Sequence, residues 1–296
     1  RGLPSYVLGG GSNVLAADDG YAGVIIRMNV PGIAEEAVAE DAARLIAGAG
    51  VSWDTLVAEA ARRGLWGVEN LAGIPGTAGA APVQNIGAYG TELSGSLEWI
   101  DAVPAAADRV ERLAAAELAL AYRDSRLKRE KGWTVLRIAL RLRRDGAPML
   151  AYRDLASRKE AGEPLRTPAE VGRAVREIRA GKFPDLSVSG TAGSFFKNPV
   201  IRSAEAKALA ERYPGLPVYP ADEETSKVSL AWILDCVLDA RGLSVGGARL
   251  FERQPIVIVA GDGATAKDVE LLAETVARRV EEATGISIER EVRTLA

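Results

Sequence analysis

The sequence predicts an α+β chain of two or three compact units, and three observations predict it. Residues 133–143, WTVLRIALRLR, alternate as a half-buried strand does: Leu136, Ile138, Leu140 and Leu142 fall on one side, Arg137, Arg141 and Arg143 on the other. Residues 265–285, TAKDVELLAETVARRVEEATG, set Val269, Leu272, Val276 and Val280 on one helical stripe. Between such segments, short strands and helices follow one another without the regular alternation of a doubly wound sheet. A chain of 296 residues, 48% of them apolar, is long enough to bury more than one core.

The elements follow in order. YVLGGGSNVL reads as strand, glycine turn and strand, and GVIIRM (23–28) and RLIAGAG (44–50) as short strands. WDTLVAEAARRG (53–64) has helical spacing and stops at Gly64. A glycine-rich run, GIPGTAGAAPVQNIGAYG, fills 73–90. After the alternating strand, residues 145–168 are polar with Pro and Gly, and read as a binding loop or flap. PAEVGRAVREIRAGKFPD is a helix closed by Gly181 and Pro184, and GSFFKNPVI (193–201) a strand that ends at Pro199. ETSKVSLAWILDCVLDARG holds a buried helix, and PIVIVAG is a strand. Thr265 is the N-cap of the long amphipathic helix, with Asp268 three residues on and Gly285 as its stop. ISIEREVR (286–293) alternates as a last strand, with Ser287, Glu289, Glu291 and Arg293 facing outward.

Composition excludes several kinds of chemistry. The net charge of −3 argues against a chain built to coat nucleic acid or an anionic membrane. No apolar run approaches the ~20 residues that span a bilayer. Cys236 is the only cysteine, so no intrachain disulfide forms, which suits a reducing cytoplasm. There is no histidine, which removes the Ser-His-Asp triad, the usual zinc sites and the commonest acid/base at neutral pH. No metal site is expected. Proton transfer falls to Ser, Tyr, Lys, carboxyl groups or Cys236, and difficult bond changes call for a cofactor.

Two glycine segments invite an anion. Gly9, Gly10 and Gly11, followed by Ser12 and Asn13, let backbone N–H groups converge; a tight hairpin turn is the plainer alternative. They make neither a Walker loop nor a dinucleotide fingerprint. The 73–90 run carries no Lys, Arg, Asp or Glu. Pro75 and Pro82 stiffen it, and Gly76, Gly79, Gly87 and Gly90 allow close approach. It suits a pyrophosphate on backbone or a flat ring between small residues; the alternative is a buried connection. YRDSRLK (122–128), KFPD (182–185), GSFFKNP, AYRDL and EREVR are each weak alone, and their order along the chain is what signifies.

That order resembles the UDP-N-acetylenolpyruvoylglucosamine reductases, through GGGSNVL, GIPGTAGAAPVQNIGAYG, YRDSRLK, GSFFKNP, KVSLAWILD and EREVR, over nearly all the chain. KFPD and AYRDL look like the subtype that folds a tyrosine-bearing loop over its substrate. The resemblance implies an FAD-binding domain of the vanillyl-alcohol-oxidase type and a C-terminal α+β substrate domain. The expected division is 1–30 with 285–296, then 31–182, then 183–284. Relatives carry several dozen residues before GGGSN, whereas eight precede it here, so the first subdomain is expected to be incomplete. NADPH would reduce FAD, and hydride would pass from flavin N5 to C3 of the enolpyruvyl group of UDP-N-acetylglucosamine enolpyruvate. Protonation at C2 then gives UDP-N-acetylmuramate for peptidoglycan, and so for cell-wall growth, cell shape and division.

Residue by residue, Ser194 matches the proton donor, Arg123 the cation beside the enolpyruvyl carboxylate, and Glu291 the third catalytic residue. Tyr152, Lys182, Lys197 and Asn198 match substrate ligands. FAD would lie on Gly9 to Asn13 and on Gly73, Ile74, Pro75, Gly76, Thr77, Gly79, Ala80, Gln84, Asn85, Gly87, Ala88 and Tyr89. Ala260, Phe251 and Leu127 stand where Asn, His and Phe are usual. A cytoplasmic monomer is expected, with a nucleotide sugar and neither nucleic acid nor membrane as its partner. Two alternatives share part of the pattern: another FAD-linked oxidase of the same fold, and a truncated nucleotide-sugar-binding relative without catalysis. Ser194 and EREVR speak against the oxidase, which needs neither.

Overall fold

The computed structural model describes residues 2–105, 107–186 and 188–296. Contacts divide the chain into two units, Arg1–Gly11 with Gly23–Arg179, and Ser12–Ala22 with Ala180–Ala296.

The first unit is built on a five-stranded antiparallel sheet, ordered Ile33–Ala37, Ala42–Gly48, Trp133–Arg143, Leu97–Pro104, Glu111–Ala114. The alternation read at 133–143 is its central strand. Leu140 pairs with Leu45 and Ile138 with Ile100, and all four are fully buried. A bulge between Val135 and Arg137 leaves Leu136 without a partner on the Leu97–Pro104 strand and only half-buried, while Val135 turns into the core. Trp53, Leu56, Val57 and Ala60 of the helix Trp53–Arg62 join the same core, as do Ala78 and Ala81 of the short helical turn Ala78–Val83. On the other face, Asp101 is 3% exposed and is held by Arg112 at 2.8 Å and Arg137 at 2.7 Å. Ser5–Leu8 pairs in parallel with Val24–Arg27.

The second unit carries a four-stranded antiparallel sheet, ordered Gly190–Ser194, Gln254–Ala260, Ala248–Phe251, Ser244–Val245. The helix Ala266–Thr284 buries Val269, Leu272, Val276 and Val280 in this unit's core. Its ends match the reading: Thr265 and Asp268 form a reciprocal capping box, and Gly285 takes a left-handed φ of 73°. Asp18 adds a carboxylate at the same N-terminus, accepting from Ala266 N at 2.7 Å. A smaller sheet runs Val200–Arg202, Thr225–Val228, Val218–Pro220.

Four readings change. Residues 145–168 are not all loop: Arg153–Glu160 is a helix, anchored by Leu155 and suited by Asp154 in its first turn and Arg158 and Lys159 in its last. The buried helix after Val228 is a short turn, Leu230–Trp232, that widens over Ile233–Val237 into a π turn. The last strand is Arg293–Leu295, paired in parallel with Val14–Ala16; among the described residues, 286–292 form no strand and pair in β fashion through one isolated bridge, Phe196 to Arg290. With the ladder interrupted there, Glu291 is half-buried rather than solvated. That parallel pairing groups residues 12–22 with the C-terminal segment in the second unit.

Candidate functional site

The hairpin alternative for GGGSN fails on topology, because the flanking strands Ser5–Leu8 and Val14–Ala16 pair with different partners. Within the first unit, the two glycine segments lie against one another. A Cβ built on Gly10 would stand 3.0 Å from Gly76 Cα, and one on Gly9 would stand 2.7 Å from Thr77 Oγ1. Thr77 Oγ1 is buried and has no hydrogen-bond partner. Gly76 O accepts from Trp53 N at 3.0 Å, which joins the run to the start of a core helix.

Not every residue of the run faces outward. Pro75 and Ala80 are exposed, and Gly73, Ile74, Gly76, Thr77, Gln84, Gly87 and Ala88 are half-buried. Gly79 is buried against Ala49, where a Cβ would stand 2.5 Å from the Ala49 Cβ; core packing explains that glycine. Asn85 is fully buried and is an internal strut. Its Nδ2 donates to Glu92 at 2.9 Å and Ala121 O at 3.1 Å, and its Oδ1 accepts from Ser94 N at 2.9 Å.

Arg123 has a left-handed φ of 52°, and its Nη2 donates to Gly87 O at 2.6 Å. Lys128 Nζ fixes the turn by donating to Arg123 O at 2.9 Å. Tyr89 closes the run with φ 48°, and its ring meets that of Tyr152 edge to face at 5.0 Å. Burial pushes the Tyr89 phenol up to about 12, against the pull of Arg179. Arg179, whose own pKa burial lowers, donates from Nε to Gly73 O at 2.9 Å and also bonds Tyr89, so one side chain ties both ends of the run. Sequence reasoning missed Arg179; an arginine three residues before Lys182 carried no separate signal.

The second unit brings Ser194 and Glu291 onto adjoining segments. Gly193, at φ 79°, and a bulge between Thr191 and Ser194 shift the register just before the serine, which itself pairs with Val257. Thr191 locks the bulge, with Oγ1 donating to Ile258 O at 2.7 Å and accepting from Gly193 N at 3.1 Å. The next residue, Phe195, accepts through its O from Glu291 N at 2.8 Å. Asn13 joins them, donating from Nδ2 to Glu291 O at 3.2 Å. Asn198 Oδ1 accepts from Leu230 N at 3.0 Å, and Lys197 pairs with Glu289 at 2.7 Å. Lys182 ends the helix Pro168–Lys182. On the three-stranded sheet, Lys227 pairs across to both Val200 and Tyr219, a cation with an exposed aromatic beside it that the sequence reading did not single out.

These features fit FAD. Glycine backbones at contact distance leave no room for side chains, and an orphaned hydroxyl waits among them, as a pyrophosphate site requires. Arg123 and Arg179 lie on the same run.

Comparison with known proteins agrees with this chemistry. Residues 1–104 match the family described as FAD binding domain, and residues 185–295 match UDP-N-acetylenolpyruvoylglucosamine reductase, C-terminal domain. The chain is 40% identical to the UDP-N-acetylenolpyruvoylglucosamine reductase of Escherichia coli (strain K12), over 99% of this chain and 84% of that protein. It is equally similar, at 40% over the same shares, to the reductase of that name from Salmonella typhi. The crystal structure of UDP-N-acetylenolpyruvylglucosamine reductase from Thermus caldophilus superposes with a TM-score of 0.65 at 27% identity, covering 100% of this chain and 87% of that one.

Proposed function

This chain belongs to the UDP-N-acetylenolpyruvoylglucosamine reductase family, and from that membership we propose how its own residues carry the reaction. It is a flavin-dependent oxidoreductase that reduces UDP-N-acetylglucosamine enolpyruvate to UDP-N-acetylmuramate, with NADPH as reductant, for peptidoglycan synthesis. When bound, FAD would supply the hydride chemistry that links NADPH to C3 of the enolpyruvyl group. Gly9 to Asn13 and the 73–90 run hold FAD.

Ser194 gives its proton to C2. A serine is a poor acid in water, but the carbanion-like C2 of the enolate is a strong base held beside it. The locked bulge fixes the direction of that hydroxyl. Arg123, a permanent cation, stabilises the charge that develops on the enolate and its carboxylate. Glu291 orients or polarises the same group. Lys182 is a point charge for the diphosphate, with Tyr152 and Asn198 as further ligands. Lys197 serves least directly, since Glu289 already engages it. Lys227 and Tyr219 offer a further cation and ring for the nucleotide. The enzyme acts as a cytoplasmic monomer; the single cysteine is in keeping with that compartment, and among the described residues no helix is long and apolar enough to cross a membrane.

The observation that carries this reading is the adjacency of Ser194 and Glu291 across the Phe195–Glu291 hydrogen bond. Ser194→Ala tests it in two half-reactions. Flavin reduction by NADPH stays near the parent rate, and reoxidation by the enolpyruvyl nucleotide falls by at least ~100-fold. If both half-reactions survive, Ser194 is not the proton donor.

A further inference from the structure

One buried amide links the glycine-rich run to the tyrosine-bearing segment. Asn70 is 1% exposed, and its Nδ2 donates to Tyr89 O at 2.8 Å and to Met149 O at 2.9 Å. Both neighbours are carbonyls, so only the NH2 end of the amide can face them. Tyr89 closes the run that begins at Gly73, and Met149 lies three residues before Tyr152.

The bridge acts on a stretch without regular structure. Residues 146–152 form no helix or strand before the helix Arg153–Glu160. Met149 is 53% exposed and Tyr152 42%. Contacts that link this stretch to the glycine-rich run include the Asn70 amide at Met149 and the Tyr89 ring against the Tyr152 ring. Both converge on Tyr89, itself held in a left-handed conformation at φ 48°.

Asn70 also carries an unexplained cost. Its Oδ1 is buried with no hydrogen-bond partner. A buried acceptor left unsatisfied destabilises the fold, and an apolar residue of similar size would avoid that. What an apolar residue cannot do is donate to two carbonyls at once. Asp, of the same shape, would set a third acceptor against them.

We propose that Asn70 is a positioning residue for the reaction: it sets the resting place of Tyr152, and so the affinity for the enolpyruvyl nucleotide, without touching that substrate. The proposal rests on the reading of Tyr152 as a substrate ligand. It assigns no role to Asn70 in holding the cofactor.

Asn70→Asp and Asn70→Ser are prepared as FAD-loaded full chains. The KM for UDP-N-acetylglucosamine enolpyruvate rises about tenfold in Asn70→Asp, the effect of losing one or two hydrogen bonds, and less in Asn70→Ser, which keeps one donor. FAD content and the rate of flavin reduction by NADPH stay within about twofold, a split that a general loss of structure would not produce. Independently of activity, amide hydrogen exchange quickens over 145–152 and stays unchanged over the helix Ala266–Thr284. Folded variants with unchanged KM and unchanged exchange would overturn the proposal. So would an equal fall in FAD content or in the NADPH half-reaction, which would make Asn70 a support of the cofactor run. Failure of both variants to fold would make it a strut of the core and overturn it equally. A parent protein that never turns over the enolpyruvyl nucleotide defeats the wider reading instead, and the exchange data still decide whether Asn70 holds 145–152.

Discussion

Gly10→Ala separates close packing from backbone strain at the proposed cofactor site. Gly10 is not among the residues with positive φ, so alanine brings no conformational strain there. It brings bulk: the new Cβ would meet Gly76 Cα at 3.0 Å, Gly76 C at 3.5 Å and Gly76 N at 3.6 Å. Carbon atoms rest at roughly 3.5–4.0 Å, so the two glycine segments must part by about 0.5 Å or more. The obstacle is backbone and cannot rotate aside. Overpacking of this kind costs about 1–3 kcal/mol. If that falls on the FAD-bound state, the dissociation constant for FAD rises roughly 5- to 150-fold. The assay is a fluorescence titration of FAD into apoprotein, with thermal unfolding of the apoprotein alongside. Gly11→Ala is the control: its φ of 71° is strained for alanine, but nothing lies within 4 Å of the added methyl. It should lower stability by about 1 kcal/mol and disturb FAD less. A Gly10→Ala protein that binds FAD as tightly as the parent would refute the claim that the two segments must touch to hold the cofactor.

Two further outcomes follow from single side chains. Thr77→Val removes a buried hydroxyl that has no partner, so the apoprotein should be unchanged or slightly stabilised, while FAD affinity falls about tenfold with the loss of a hydrogen bond made only to the cofactor; equal FAD affinity in both proteins contradicts it. Asp101→Asn leaves Arg112 and Arg137 without their carboxylate and should cost about 1–2 kcal/mol at pH 7. Burial raises the Asp101 carboxyl, but the hydrogen bonds from Arg112 and Arg137 outweigh it and hold the group below its usual value. Its stabilisation is therefore present above the unfolded-state value of about 3.9 and disappears as pH falls through the lower folded value. Thermal unfolding of parent and variant should converge in that acid range; a gap that persists there would be evidence against the assignment.

What the sequence disclosed was local. The capped helix from Thr265 to Gly285 and the strand 133–143 were legible because their signals lie within a few residues of one another. The glycine-rich run was legible as a ligand loop, but not in its division of labour. Gly79 serves Ala49 and Asn85 serves Ser94, Glu92 and Ala121, contacts that pattern alone cannot reveal. Glu291 looked solvated because EREVR alternates. Its half-burial comes from an interrupted ladder and from Asn13, 278 residues away. The order of the motifs named the chemistry before any packing was known. The supports of that chemistry, Arg179, Thr191 and Asn70, depend on partners distant in sequence. For Asn70 a faint signal existed: a polar side chain inside GVENLAGIPG, a stretch otherwise small and apolar apart from Glu69.

The central claim is that this chain passes electrons from NADPH, through FAD, to an enolpyruvyl nucleotide. The visible spectrum of the FAD-loaded protein tests it most directly. Flavin bands that bleach on adding NADPH under anaerobic conditions, and return on adding UDP-N-acetylglucosamine enolpyruvate with formation of UDP-N-acetylmuramate, are the predicted result. Protein that stays colourless after incubation with FAD, or whose bleached flavin does not recover with the enolpyruvyl nucleotide, would contradict it.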